Sequence, residues 1–241
     1  MSEIKERIAN YWSHRADAFY TQRIRELHSD KKVRWLAEFD RYLPENKPLK
    51  ILDLGTGTGF FAFLLEQYGH ETTGIDLTQE MIRKAKETAD LYGSKAAFYV
   101  MDAEHPDFPE ESFDALVTRN LTWTLPHLSC AYKNWLKLLK PGGVLINFDA
   151  DYYRDTPGRQ DLPPQHAHCL IGDEMMDEND AITKLIAELG YPRPHWDAKL
   201  LLDAGFEKII IDEGVWKRVY QEVDEFYNPT PIFTIAAYKH Q

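Results

Sequence analysis

Residues Ile51-Leu52-Asp53-Leu54 run directly into Gly55-Thr56-Gly57-Thr58-Gly59, and Phe60 opens a second apolar run. Glycines spaced this closely between an apolar strand and a helix let the backbone turn sharply and approach a ligand, because no Cβ stands in the way. In open α/β sheets ligands bind at the carboxyl edge of the strands, which is where this turn would lie. The flanking pattern agrees. Apolar segments at 49–54, 71–76, 96–101, 115–118, 144–148, 208–212 and 232–238 alternate with helical ones at 60–68, 79–91, 129–139 and 197–203. That order predicts an α/β fold with a doubly wound, mostly parallel sheet. Thr78 stands at an expected N-cap, and Gly93 lies just past the end of the same helix.

Two segments are surplus to that alternation. Residues 3–43 read as helical, with Ile4, Ile8, Tyr11, Trp12, Phe19 and Leu27 and then Val33, Trp35, Leu36, Phe39 and Leu43 near helical spacing, until Pro44 and Pro48 end the pattern. After Asp149 the alternation stops. Residues 151–181 hold eight acidic and two basic side chains and the pair Pro163-Pro164, with a helix expected from Ala181 to Leu189. A connection this long reads as a lid or cap. The expected organisation is an N-terminal helical cover at 1–48 and a main domain at 49–241 carrying a cap insertion at about 150–196. As a cover, the first 28 residues should be removable without loss of folding.

Charge and composition narrow the partners. The 241 residues carry 28 Lys and Arg against 39 Asp and Glu, a net charge of -11 that disfavours nucleic acid and anionic lipid as general partners. The acidic insertion is a solvated face or favours a cationic substrate. Cys130 and Cys169 are the only cysteines and form no Cys-x-x-Cys, so neither a disulfide framework nor a cysteine zinc site is expected. The first residues alternate charge, and no apolar run approaches the roughly 20 residues of a membrane span. A cytoplasmic protein with a small-molecule substrate, monomeric or homodimeric, is the expectation.

Three acids fall at the ends of successive strands: Asp53, Asp76 after Thr73-Gly74-Ile75, and Asp102 after Val100-Met101. A carboxylate at the second strand suits a ribose diol, since it accepts from both hydroxyls, and one near the third can accept from an exocyclic adenine amine. Asp53 is placed near an ammonium group or orders the turn. The dinucleotide fingerprint requires Gly or Ala where Phe60 stands, and no Gly-Lys-Ser/Thr follows the glycines.

These residues resemble the class I S-adenosylmethionine-dependent methyltransferases. Asp53–Gly59 is similar to the family's glycine motif, and Asp76-Leu77-Thr78-Gln79-Glu80-Met81 to its second motif. Asp102-Ala103-Glu104 is like the adenine-edge motif, and Ser112–Val117 followed by Asn120 like the fourth strand and its cofactor-lining end. Leu138–Leu145 and Leu201–Phe206 resemble the segments before strands five and six. The resemblance implies a Rossmann-like sheet of seven strands with an antiparallel last strand. It implies S-adenosyl-L-methionine as cofactor, S-adenosyl-L-homocysteine as product, and contacts from Asp53, Gly55, Thr56, Gly57, Gly59, Asp76, Leu77, Met81, Asp102, Ala103 and Asn120.

It is closest to the branch acting on quinones, organic acids and natural products, in which a segment like Tyr11–Tyr20 covers the cofactor. The loop 119–126 lacks the Asn-Pro-Pro-Tyr pattern of enzymes that methylate base amines. Tyr11, Trp12, Arg15, Tyr20, Trp123, Tyr152 and Tyr153 are the candidates for substrate or lid contacts. The acceptor atom, oxygen, nitrogen or carbon, is left open. A base is optional in such a displacement, and the histidine candidates are His127, His166 and His168. His166-x-His168-Cys169 with Asp173 and Glu174 offers metal-ligand types in no closed zinc spacing, so no metal is expected. A noncatalytic module binding the same nucleoside is the alternative, and an NAD-linked oxidoreductase is a further one that Phe60 disfavours.

Overall fold

The computed structural model describes residues 2–44, 47–153, 162–164, 166, 169, 172–187 and 192–241. Its strands are β1 (Lys50–Leu54), β2 (Glu71–Asp76), β3 (Ala97–Val100), β4 (Phe113–Arg119), β5 (Leu139–Ala150), β6 (Lys208–Asp212) and β7 (Ile232–Tyr238). They form one seven-stranded sheet in the order β3-β2-β1-β4-β5-β7-β6. β7 runs antiparallel to both β5 and β6, and the other pairings are parallel. The order reverses between β1 and β4, which opens a crevice at their carboxyl ends. This is the seven-stranded topology expected from the sequence.

The central strands are mostly apolar because both faces are covered. Ile51, Val117, Ile146 and Phe148 pack on one side with Trp35, Phe39 and Phe61. Leu52, Leu54, Leu116 and Leu145 pack on the other with Tyr132 and Trp135. The first side centres on Trp35, Phe39, Phe61 and Phe148, whose rings meet edge to face at 4.8 to 5.6 Å. Such pairs contribute about 0.5–1.5 kcal/mol each beyond burial.

The helical N-terminus is two helices, α1 (Glu3–Leu27) and α2 (Lys31–Phe39). They break at Ser29, whose hydroxyl donates to the Glu26 carbonyl and accepts from the Lys31 amide. Trp35 and Phe39 bring α2 into the core itself. Leu27 and Glu26 of α1 are buried there too, so the end of α1 packs as part of the core.

The remaining helices are α3 (Phe60–Gln67), α4 (Gln79–Tyr92), α5 (Leu128–Leu138), α6 (Asp173–Ala187), α7 (His195–Ala204) and α8 (Val215–Val219). The helix expected at 181–189 begins eight residues earlier, and 188–189 lie outside the described residues. Acidic side chains in 173–180 had hidden its start, although anions suit a helix N-terminus. Ile182 and Ile186 of α6 pack on Ile8 and Tyr11 of α1, with Met175, Trp12 and Tyr153 around them. Arg7 adds a two-pronged ion pair to Glu178. α1 and the insertion helix thus meet above the crevice. β5 also exceeds its expected 144–148, running through Pro141-Gly142-Gly143, and α8 was not foreseen. Among the described residues no helix is long and apolar enough to cross a membrane.

Candidate active site

The glycine turn joins β1 to α3 with Gly55, Gly57 and Gly59 all at positive φ. The requirement for glycine is sharpest at Gly59, where an added Cβ would lie 2.6 Å from the Phe63 ring at a φ of +92°. The Thr56 amide donates to the Ile75 carbonyl at 2.8 Å and so ties the turn to β2. Asp53 organises the turn from within: its Oδ2 accepts from the Thr56 hydroxyl at 2.6 Å and the Ala62 amide at 3.2 Å. Burial pushes the Asp53 carboxyl up to about 7 despite these bonds and the charge of Arg119.

At the end of β2, Asp76 accepts from the Gly57 amide through Oδ2 at 3.0 Å and from the Thr78 amide through Oδ1 at 2.8 Å. Burial raises its pKa against those two bonds. Thr78 is the N-cap of α4 and makes no side-chain cap; its amide donates to Asp76. Met81 is buried on the same wall.

Asp102 is engaged more fully than its sequence role suggested. Its Oδ1 accepts from the Glu104 amide at 2.9 Å, and its Oδ2 pairs with Lys5 Nζ of α1 at 2.6 Å. Lys5 also pairs with the buried Glu104. Burial works to raise the Asp102 carboxyl, but the Lys5 contact outweighs it and holds the group below its usual range. Asp102, Glu104 and His105 lie together with metal-ligand chemistry, and Lys5 supplies the positive charge there.

A cavity of about 1050 Å³ runs along these groups. It is lined by Asp53, Gly55, Thr56, Gly57, Asp76, Leu77, Met81, Asp102, Ala103 and Asn120, and roofed by Lys5, Ile8, Trp12, Phe19 and Arg23 of α1. Gly59 of the expected set does not line it. A second cavity of about 1430 Å³ adjoins, sharing Trp12, Phe19, Arg23, Arg119 and Asn120. Its wall carries Tyr11, Arg15, Trp123, Tyr152, His166, Tyr220 and Tyr227. Asn120 sits at the junction in the left-handed region (φ +55°), and its Oδ1 accepts from the Tyr152 hydroxyl at 3.0 Å. The Trp123 and Tyr152 rings lie 5.1 Å apart.

Tyr20 and Tyr153 line neither cavity: Lys84 Nζ stands 5.0 Å over the Tyr20 ring, and Tyr153 packs with the α1–α6 contact. His127 is exposed at the start of α5, its amide donating to Glu104, and it too lines neither cavity. His166 is buried in the second cavity with Nε2 2.7 Å from the Tyr227 carbonyl, which assigns the proton to Nε2. Burial lowers its pKa, helped by the charges of Arg23 and Arg15. His168 lies outside the described residues.

Sequence reasoning missed a buried ion cluster at the junction. Glu26 of α1, fully buried, pairs with Arg23 and with Arg119 at the end of β4. Burial opposes ionisation of Glu26, but Arg119 and Arg23 hold its pKa down at about 2. Arg119 also donates to the Tyr220 hydroxyl and stacks 4.4 Å from the Trp35 ring. One signal was present: an arginine closing the apolar run Ala115–Thr118 needs a partner where it is buried.

Residues 51–143 match a family model described as a methyltransferase domain. The chain is 30% identical over 166 residues to phosphoethanolamine N-methyltransferase 1 of Triticum aestivum, covering 68% of this chain and 29% of that one. It is 26% identical over 195 residues to the ubiquinone/menaquinone biosynthesis C-methyltransferase UbiE of Bartonella tribocorum, covering 77% and 73%. The solved structure of Haemonchus contortus phosphoethanolamine N-methyltransferase 2 with S-adenosyl-L-methionine superposes with a TM-score of 0.63 at 17% identity, over 86% of this chain and 52% of that one. The chain therefore spans under a third of the wheat relative and about half of the Haemonchus protein. Residues 51–143 thus match a methyltransferase domain, and the chain shares its fold with a methyltransferase solved with S-adenosyl-L-methionine.

Proposed function

We propose that this chain transfers a methyl group from S-adenosyl-L-methionine to a small-molecule acceptor held in the second cavity. The observation that carries the reading is the row of strand-end carboxylates Asp53, Asp76 and Asp102 along one cavity that opens, past Asn120, into another.

The residues fit the cofactor's chemistry. Asp76 keeps oxygen lone pairs beyond those given to Gly57 and Thr78, enough to accept from a ribose diol. Leu77, Met81 and Ala103 supply apolar surface for the base, with Asp102 at its edge. Asp53 supplies an anion for an ammonium group. The cofactor, when bound, supplies an electrophilic methyl on a sulfonium. The chain's own task is to position the acceptor against it and exclude water. Trp12 and Phe19 of α1 roof both cavities, and Tyr11 the second. Among the described histidines His166 lines the second cavity, where burial lowers its pKa. The absence of paired cysteines fits a cytoplasmic setting, with the chain acting as a monomer or homodimer.

Asp76→Ala tests the reading by calorimetry with S-adenosyl-L-homocysteine. Loss of two charge-assisted hydrogen bonds predicts a weakening of at least about 100-fold. Unchanged affinity would overturn the assignment of Asp76 and, with it, the cofactor site.

A further inference from the structure

Five cationic side chains are buried among the described residues and Arg119 is nearly so, and all of these but one meet carboxylates. Lys5 pairs with Asp102 and Glu104, Lys31 with Glu222 and Asp224, Arg23 and Arg119 with Glu26, and Arg193 with Asp149 and Asp197. Arg15 is the exception. It is 6% exposed, yet its one hydrogen bond goes from Nη1 to the neutral Tyr11 hydroxyl at 2.7 Å, and its Nε–H is buried without a partner. No carboxylate among the described residues pairs with it. A guanidinium withdrawn from water without a counterion is destabilising, and this one lines the second cavity.

The surrounding charges do not supply the missing anion. Arg23 and Arg119 line the same cavity and share the single carboxylate of Glu26, which leaves an excess positive charge. Among the described residues Asp180 is the one acid on the lining, and it is exposed on α6. Tyr11, Tyr152, Tyr220 and Tyr227 remain protonated, since burial raises each. The acidic insertion therefore does not make the described part of this cavity a site for cations. The rest of the described lining combines rings, with Trp12, Phe19, Trp123 and Phe226 among them, and neutral polar side chains such as Asn179 and Thr183.

We propose that the second cavity binds a small organic anion, its carboxylate or phosphate on Arg15 and its apolar body among the aromatic walls. The inference rests on the proposed methyl transfer only in calling that anion the acceptor. It also gives the acceptor a direction. Arg15 lines the second cavity alone, whereas Asn120, Arg119 and Trp12 line both, so the anionic end lies away from the methyl donor and the reacting atom toward Asn120. A planar carboxylate and a tetrahedral phosphate both take paired N–H donors from a guanidinium.

The test is equilibrium binding to the full chain, with and without S-adenosyl-L-homocysteine, of four probes: phenylacetate, phenyl phosphate, phenylacetamide and phenethylamine. At least one anion is expected to bind about tenfold or more tighter than the amide and the amine, and the better anion distinguishes the two headgroups. Arg15→Met should weaken that anion about tenfold or more while leaving the amide and S-adenosyl-L-homocysteine within about twofold, and Arg15→Lys should restore part of the loss. The proposal is overturned if the amide or amine binds as tightly as the anions, if neither anion binds, or if Arg15→Met leaves anion affinity unchanged. The probe series on the unaltered chain decides the matter even where Arg15→Met fails to fold. Failure of the chain to bind S-adenosyl-L-homocysteine would instead remove the proposed methyl transfer, and the probes on the unloaded chain would still decide the anion site.

Discussion

Behind β5, Arg193 stands between Asp149 and Asp197; at the end of β4, Glu26 stands between Arg23 and Arg119. Both clusters are buried, and their charge ratios are inverted. The first carries one cation for two anions and lines neither cavity. Its surplus negative charge is met by hydrogen bonds: Tyr132 donates to Asp197 at 2.8 Å, and the Trp123 amide donates to Asp149 at 3.0 Å. The second carries two cations for one anion, and both arginines face the cavities. A closed cluster must satisfy its charges internally, whereas one beside a cavity can leave charge for a ligand. The first holds the fold together around β5 and α7, and the second shapes the site.

Breaking the closed cluster should have the largest effect. Arg193→Met leaves Asp149 and Asp197 buried without their cation, for which a loss of about 3–5 kcal/mol is expected in urea unfolding at pH 7. A loss under about 1 kcal/mol would show that the cluster is hydrated and that the contrast drawn here is mistaken.

Glu26→Gln breaks the other cluster and should destabilise less, by about 1–3 kcal/mol, because the cavity lets water or an anion reach the two guanidiniums. Inorganic phosphate, compared with chloride at equal ionic strength, should restore part of that loss in Glu26→Gln and none in Arg193→Met. Equal responses of the two variants would erase the distinction between open and closed clusters. The pH dependence has a definite sign. Glu26 has a folded pKa of about 2, below its ordinary 4.5, so its contribution is complete above about 4.5 and is lost as pH falls toward 2. The gap between the unaltered chain and Glu26→Gln should close across that window.

The two clusters also mark where sequence reading stops. The sheet was legible because strand burial on both faces leaves an apolar run whatever the partner, and the cofactor groove because a positive-φ turn demands glycine locally. Asp53, Asp76 and Asp102 were found by their place after strands. Arg15, Arg23 and Glu26 sit in a helix whose other charges, such as Glu3, Glu6 and Asp17, are solvated, and nothing local separates the two groups. Their burial comes from contacts with residues far along the chain: Arg119 and Tyr220 around Glu26, and α6 against Tyr11. Arg15 was legible as a contact residue, but its lack of a carboxylate was not. The start of α6 was obscured because its first turns carry acids, which suit a helix N-terminus as well as a loop.

Asp53 sharpens the comparison from a third direction, because it is buried without an ion pair among the described residues, feeling only the field of Arg119, where Glu26 pairs with two arginines. The outcome is a carboxyl held at about 7 rather than about 2. In the chain without ligand, its folded pKa lies above the unfolded 3.8, so its protonated form favours the fold at low pH and this contribution is lost as pH rises from about 4 to about 7. A ligand ammonium prefers the ionised form. Binding of S-adenosyl-L-homocysteine should therefore tighten by about three- to tenfold from pH 6 to pH 8 and release protons at pH 6 but few at pH 8. Asp53→Asn keeps an oxygen to accept from Thr56 and Ala62 but cannot ionise, so its affinity should be lower and flat with pH. Calorimetry in two buffers of different ionisation enthalpy measures the proton release directly. If Asp53→Asn retains the pH dependence, the titrating group is elsewhere, and Asp53 orders the turn without receiving the ammonium.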